Sequence, residues 1–436
     1  MSSGGPRAFR GAIFHLTGDP GPLGDPAAAQ FIQDGLLVVR DGCIDRVGAH
    51  SSIAPTLAPD AVVEDLRGKW IVPGFIDTHV HYAQTAMIAS PGEHLLAWLE
   101  RYTVPEERRF EDPAYAQAMS ELFLDELLRN GTTTAVVFPT VHAASVDALF
   151  AAADARRMRL IAGKVLMDRN CPEFLRDSAE GGDETSRELI ERWHGRGRLA
   201  YAVTPRFAAT SSARQLELAG RLYGEHAGLY VQSHVAENLD EVRWVAELFP
   251  DARSYLDVYD RFGLLGPRSV YAHCIHLDDT DRRRMAERGA AMSFCPTSNL
   301  FLGSGLFDRE AAHRAGAQVT IGTDVGGGTS FSMLRTLAEG YKVLQLRGTT
   351  MSSLEGFYLA TLGAARALEL DAHIGNFAPG KEADFVVLDP AATPLLARRF
   401  ERATDLAERL FVLMTLGDDR TVAATYILGA DAQRTS

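Results

Sequence analysis

Two histidines one residue apart, His79 and His81, close the apolar run Ile71-Val72-Pro73-Gly74-Phe75-Ile76-Asp77-Thr78-His79-Val80-His81. Alternate residues of a strand share a face, so both imidazoles aim at one point. Two neutral imidazoles converging at a strand exit make half of a zinc site. Alone, H-x-H describes two surface histidines on a turn equally well. The rest of the chain supplies further ligands in order. Val231-Gln232-Ser233-His234 ends a second apolar run, with Glu237 three residues on. Ala272-His273 ends a third, and Ile321-Gly322-Thr323-Asp324 ends a fourth. Taken singly, His234 reads as a core histidine and Asp324 as a helix N-cap. Together, three histidines and one aspartate fit a divalent metal with room for water.

Such an ion would lower the pKa of its bound water from ~15.7 toward ~7, making hydroxide available at neutral pH. Attack on an electrophilic carbon then needs a proton shuttle. Glu237 is the candidate: it lies close to His234 without being an expected ligand, and a carboxyl can take the water's proton and return it to a ring nitrogen. Asp324 can ligate, orient the hydroxide and accept a proton. His273 can hydrogen-bond the attacking oxygen or the substrate. His276, on the same loop, reads as a surface histidine.

These residues need a scaffold that brings strand ends together. From about Lys69, short β-branched runs alternate with helical stretches such as Ala114–Arg129 and Ser211–His226. The expected strands are Ile71–Asp77, Thr132–Phe138, Leu160–Leu166, Leu199–Thr204, Tyr230–Ser233, Ser269–Ala272, Ala290–Phe294 and Gln318–Gly322. Eight strands alternating with helices predict an α/β fold with a (β/α)8 TIM-type barrel, whose active site lies at the C-terminal strand ends. The candidate ligands sit at those ends. Before Lys69 the chain reads as β, with runs at Gly11–Leu16, Gly35–Arg40 and Cys43–Gly48, a hairpin-type turn at Asp41-Gly42, and a loop over Gly18–Ala29. After Ile374 it turns β again, at Ala383–Leu388 and Thr421–Gly429. Neither end alone can bury a core. The expected division is 1–68 and 375–436 as the two parts of one small β-sandwich, flanking a barrel over 69–374.

Bulk properties agree. A chain of 436 residues, 46% hydrophobic, can bury a barrel and a smaller unit. A net charge of −13 leaves no footprint for nucleic acid or anionic membrane. Cys43, Cys171, Cys274 and Cys295 form no C-x-x-C pair, which argues against a disulfide framework and for a reducing compartment. The opening Met1–Pro6 stretch lacks a signal-peptide layout, and no apolar run is long enough to span a bilayer. A cytoplasmic protein is expected.

The run Pro73-Gly74-Phe75-Ile76-Asp77-Thr78-His79-Val80-His81, with its flanking β segments, resembles the amidohydrolase superfamily over nearly the whole chain. Some members bridge two metals with a lysine at the fourth strand. Here Lys164 lies in the third, which favours a single ion. Further motifs narrow the resemblance: His81-Tyr82-Ala83-Gln84, Trp98-Leu99-Glu100-Arg101-Tyr102-Thr103-Val104-Pro105-Glu106, Lys164-Val165-Leu166-Met167-Asp168, Thr204-Pro205-Arg206-Phe207, His234-Val235-Ala236-Glu237-Asn238, Cys295-Pro296-Thr297-Ser298-Asn299 and Gly322-Thr323-Asp324-Val325-Gly326-Gly327-Gly328. As a set they resemble the guanine deaminase family. Val104 and Ala236 depart from its usual Phe and Ser, and neither removes a catalytic group.

The resemblance implies one Zn2+ per chain on His79, His81, His234 and Asp324. It implies guanine as the small-molecule substrate, hydrolysed to xanthine and ammonia in purine catabolism, and a homodimer. Gln84, Arg206 and Phe207 would contact the purine alongside His81, His234, Glu237 and Asp324, while Glu237, Asp324 and His273 serve catalysis. Guanine's adjacent O6 and N7 acceptors suit the planar guanidinium of Arg206. Adenine has a donor in place of O6 and would leave that guanidinium unpaired. A related deaminase acting on 8-oxoguanine or another aminated heterocycle is the alternative, and a silent scaffold protein is the rival of a different class.

Other standouts have plain readings. Trp98, Tyr102 and Phe301 read as loop packing, with Trp98 or Phe301 as a candidate pocket wall, and Glu106-Glu107-Arg108-Arg109 reads as a solvated helix start. Gly326-Gly327-Gly328 lacks the Gly-Lys-Ser/Thr of a phosphate loop. Ser298, Ser304 and Ser330 carry no nucleophile signature, and the Cys-x-x-Cys ligand pair of cytidine deaminases is absent.

Overall fold

Gly74 separates two sheets. The computed structural model describes residues 5–92 and 94–433; most of the opening Met1–Pro6 stretch, Met1–Gly4, lies outside the described residues. Four strands precede the glycine: β1 (Arg7–Leu16), β2 (Ala29–Arg40), β3 (Cys43–Ala49) and β4 (Val62–Pro73). The barrel strands follow: β5 (Phe75–His81), β6 (Thr132–Phe138), β7 (Arg159–Ala162), β8 (Val165–Leu166), β9 (Leu199–Pro205), β10 (Tyr230–Val235), β11 (Ser269–His273), β12 (Ala291–Phe294) and β13 (Gln318–Ile321). The chain closes with β14 (Phe385–Leu388), β15 (Val422–Ile427) and β16 (Ala430–Asp431).

The chain ends build one sheet in the order β16-β15-β14-β4-β1-β2-β3. Antiparallel pairing of β14 with β4, Phe385 opposite Pro73 and Leu388 opposite Trp70, joins the two ends. Phe9 of β1 and Tyr426 of β15 meet edge-on at 5.0 Å although β4 and β14 lie between their strands. The expected sandwich is therefore one continuous sheet that curls over its own core of Phe9, Ile13, Leu37, Ile71, Phe385 and Tyr426. The opposite face packs Phe14, Trp70 and Val72 against the helices Met333–Leu346 and Leu406–Leu416.

The single strand expected at Ile71–Asp77 is two strands, because Gly74 lets the chain pass from one sheet to the other. A Cβ there would lie 2.1 Å from Thr133 Oγ1, closer than any side chain allows. The expected Leu160–Leu166 strand is likewise broken after Ala162, with β8 resuming at Val165. The remaining barrel strands match expectation to within two residues. β6, Thr-Thr-Thr-Ala-Val-Val-Phe, is buried throughout, as a parallel strand covered on both faces must be. The helix Pro113–Arg129 starts from an Asp112 cap with proline at its first turn, and Ala213–Glu225 starts from Ser212.

β5 to β13 run parallel around the barrel in sequence order, with β8 paired to β9. The seam between β13 and β5 closes through Asp324 N–H to His79 O at 2.9 Å and His81 N–H to Val325 O at 2.8 Å. Thr78 Oγ1 reinforces it with bonds to Ser293, Thr320 and the Ile321 carbonyl. Among the described residues no helix is long and apolar enough to cross a membrane.

Candidate metal centre and substrate pocket

The seam that closes the barrel carries three of the expected ligands. His79 and His81 leave β5 on one face, Asp324 follows β13, and His234 arrives from β10. His81 Nε2 stands 3.3 Å from His79 Nε2 and 3.1 Å from His234 Nε2. Asp324 Oδ1 stands 3.1 Å from His79 Nε2 and 3.4 Å from His81 Nε2. Tetrahedral bonds of ~2.0–2.1 Å to zinc would set neighbouring ligand atoms about 3.3 Å apart. The four residues therefore fit one divalent ion. His273 also lies within 4.8 Å of His79, His234 and Asp324, but His81 completes the tighter set.

A supporting contact holds His234 in ligating form. His234 Nδ1 donates to the Arg206 carbonyl at 2.6 Å, which leaves Nε2 unprotonated toward the centre. Burial holds the His81 and His234 imidazoles well below the ordinary histidine range. Burial also lowers His79, against the pull of the Asp324 charge. Burial would raise Asp324, yet the flanking His79, His273 and His81 hold it far below the usual carboxylate range. Asp77, which had no expected role, accepts from the backbone N–H groups of His79 and Thr323 and from Thr323 Oγ1. It ties the ligand-bearing ends of β5 and β13 together. Gly322 permits that approach: a Cβ there would lie 2.8 Å from His79 Cβ.

Glu237 is buried beside this cluster, 3.3 Å from His273 Nε2. Burial pushes its carboxyl up to about 7, with the His273 charge opposing. Ser304 Oγ donates to Glu237 Oε1 at 2.9 Å, and Glu241 accepts from the Glu237 backbone N–H at 2.9 Å. The Asn238–Glu241 capping pattern was a usable sequence signal for Glu241; Ser304 had none. His273 sits at a left-handed φ of 70° and Asp324 at 52°, a region uncommon outside glycine, which Asp and His enter more readily than most residues. Burial lowers the His273 imidazole, but Glu237, Asp324 and the 2.9 Å bond to Asn299 outweigh it and the net shift is upward. His276 is partly buried and bonds the Ser304 carbonyl at 3.0 Å, so it is a loop strut rather than a free surface histidine.

A small, partly open cavity lies over the cluster. Its lining includes Gln84, Arg206, Phe207, Glu237, Glu241, His273 and Asp324, with Leu95, Trp98, Leu99 and Leu302 as apolar walls. Gln84 Oε1 accepts from Gly326 N–H at 3.1 Å, which fixes the amide's orientation and leaves its NH2 as the donor. Phe207 is braced edge-on by Trp244. Trp98 is both loop packing and wall, whereas Phe301 and Tyr102 pack behind it with Met87 and Leu302. Lys164 pairs with Asp177, away from this lining.

The reading of the Glu106–Arg109 run also fails in part. Glu107 is not part of a solvated helix start: it is 1% exposed and meets Arg206 Nη1 with both carboxylate oxygens, at 2.7 and 2.8 Å. Arg108 and Arg109 do remain toward solvent, whereas Glu106 is largely covered, accepting from the Tyr115 hydroxyl and lying 3.3 Å from Arg109. Arg206 is thus in a salt bridge, but a buried one at the pocket wall.

Comparison with known proteins places this geometry. Residues 70–430 match the amidohydrolase family. Guanine deaminase of Escherichia coli (strain K12) is 52% identical over 424 residues, covering 97% of each chain. The solved structure of an E. coli guanine deaminase superposes with a TM-score of 0.94 at 50% identity, covering 98% of both chains. That of a C. acetobutylicum guanine deaminase, described with guanine bound in its active site, gives 0.88 at 28% identity, covering 98% of this chain and 99% of that one. This chain belongs to the amidohydrolase family, in its guanine deaminase branch.

Proposed function

We propose that this chain hydrolyses the exocyclic amine of guanine, giving xanthine and ammonia. The observation that carries the reading is the meeting, in one cavity, of a four-ligand metal set, the buried acid Glu237 and the Arg206–Gln84 wall. His79, His81, His234 and Asp324 would hold one zinc ion per chain. When bound, it supplies Lewis-acid activation of the attacking water. Arg206 accepts the base by donating to the O6/N7 edge, Gln84 donates from the other side, and Phe207 covers the ring. Glu237 takes a proton from the water as its oxygen adds to C2, and delivers that proton to N3. His273 donates a hydrogen bond to the incoming oxygen. Asp324 moves the second proton to the amine, the C2–N2 bond breaks, and ammonia leaves. Trp98, Leu95 and Leu302 keep bulk water from the reacting ring. The 52% identity to the E. coli enzyme over 97% of both chains supports this assignment. A cytoplasmic homodimer is part of the same proposal.

The test is direct. Purified protein is analysed for metal, and guanine loss and ammonia release are followed beside a parallel sample with 8-oxoguanine. About one zinc per chain with guanine turnover supports the reading; a loaded protein inert toward guanine overturns it and moves the substrate to another aminated ring.

A further inference from the structure

Arg206, with Leu99 and Phe207, borders two cavities. It lines the reaction pocket and also an outer cavity of about 510 Å³ walled by Leu96, Thr103, Met167, Cys171 and Trp244. Glu107 lines only the outer one, so it backs the guanidinium from the side away from the metal ligands. Both Glu107 oxygens fall on Nη1. A side-on carboxylate would instead occupy Nε and Nη2, the paired donors that match two adjacent acceptors. By taking Nη1 alone, Glu107 leaves that fork for a ligand in the reaction pocket. The pair is 7% and 1% exposed, and at such burial an uncompensated guanidinium would draw in any anion able to reach it.

Charge matters because of what the reaction makes. Replacing an amine on the purine ring by a carbonyl leaves a more acidic ring N–H, so the product ionises more readily than the substrate. The other ionisable groups around the reaction pocket are His81, His234, Glu237, Glu241, His273 and Asp324, and Arg206 is the one fixed cation among the lining side chains. We infer that Glu107 is a positioning and specificity residue: it presents the Nε–Nη2 edge of Arg206 and cancels its charge, so that the pocket takes a neutral base and releases the anionic product. This rests on the guanine reading above.

The experiment compares wild type, E107Q and E107D, all metal-loaded, for guanine KM and kcat and for inhibition by xanthine at a pH where xanthine is largely ionised. In E107Q, guanine KM rises about tenfold with kcat reduced less than about threefold, and xanthine binds about tenfold more tightly, the scale of one lost charge contact. E107D restores the charge on a shorter arm: xanthine inhibition is no stronger than in wild type while guanine KM stays raised. Wild-type guanine turnover with KM and xanthine inhibition both unchanged in E107Q overturns the inference and leaves the guanine reading standing. Where E107Q fails to fold, E107D decides: an unchanged guanine KM overturns the positioning role. A wild-type protein inert toward guanine removes the reading and this inference together.

Discussion

Ser304 Oγ donates a 2.9 Å hydrogen bond to Glu237 Oε1, reaching from the loop after the helix Pro296–Phe301 to the turn after β10. Neither residue is near the other in sequence, and the bond fixes the carboxyl that faces His273 and Asp324. Donation to the charged form favours ionisation, opposing the burial that holds Glu237 at about 7. In S304A the carboxyl therefore ionises at higher pH, and the acid limb of the kcat/KM profile moves upward in pH. A lost bond to a charged acceptor costs ~1.5–3 kcal/mol, so kcat at neutral pH falls by about tenfold or more. Metal content stays at the wild-type level; a profile that does not move would show that Ser304 does not tune this acid.

Glu237→Gln keeps the side chain's size and removes its titration. Turnover is expected to drop by about 10²–10⁴, the usual contribution of a positioned general acid–base. Metal content, measured by elemental analysis, is expected to match wild type, because Glu237 stands outside the ligand set. Loss of metal together with activity would make Glu237 a ligand instead.

His81→Ala removes the imidazole whose Nε2 touches three of the other candidate ligand atoms, at 3.1, 3.3 and 3.4 Å. Losing one of four protein ligands weakens the site, so metal per chain and guanine turnover are expected to fall together. Chelation of the wild-type protein reproduces the loss, and added zinc restores wild type but not the variant. Full metal retention by H81A would shift the fourth place to His273, which also lies within 4.8 Å of its neighbours.

A stability prediction lies away from the site. Glu355 pairs with Arg309 at 2.8 Å, yet burial pushes its carboxyl from 4.5 to about 7. Between those values the native protein holds a proton that the unfolded chain has released. Stability therefore falls as pH rises through that window. Apparent Tm measured across the window is expected to fall more steeply for wild type than for E355Q. Parallel slopes would show that Glu355 titrates normally.

Much of the site was legible because its parts are local. H-x-H in an alternating strand places two imidazoles on one face whatever the strand packs against. His234, His273 and Asp324 could be read as partners because each follows a short β-branched run of the kind a parallel barrel buries. Glu107 was misread for the opposite reason. Its neighbours Glu106, Arg108 and Arg109 make a solvated helix the natural reading, and its burial depends on Arg206, 99 residues later. Ser304 was passed over because a hydroxyl that only braces a carboxylate leaves no pattern along the chain.

What the sequence by itself determined was the set of chemical groups and their order on strand ends: the candidate ligands, the carboxyl of Glu237 and the guanidinium of Arg206. Periodicity and residue type act over a few positions, and these groups are set at that scale. Only the tertiary structure decided which of them meet. The β13–β5 seam brings Asp324 to within 3.1 Å of His79, Gly74 passes the chain from the curled terminal sheet into the barrel, and Glu107 turns inward to a distant arginine. Those outcomes depend on barrel closure and on pairing buried charge, which couple residues far apart in the chain.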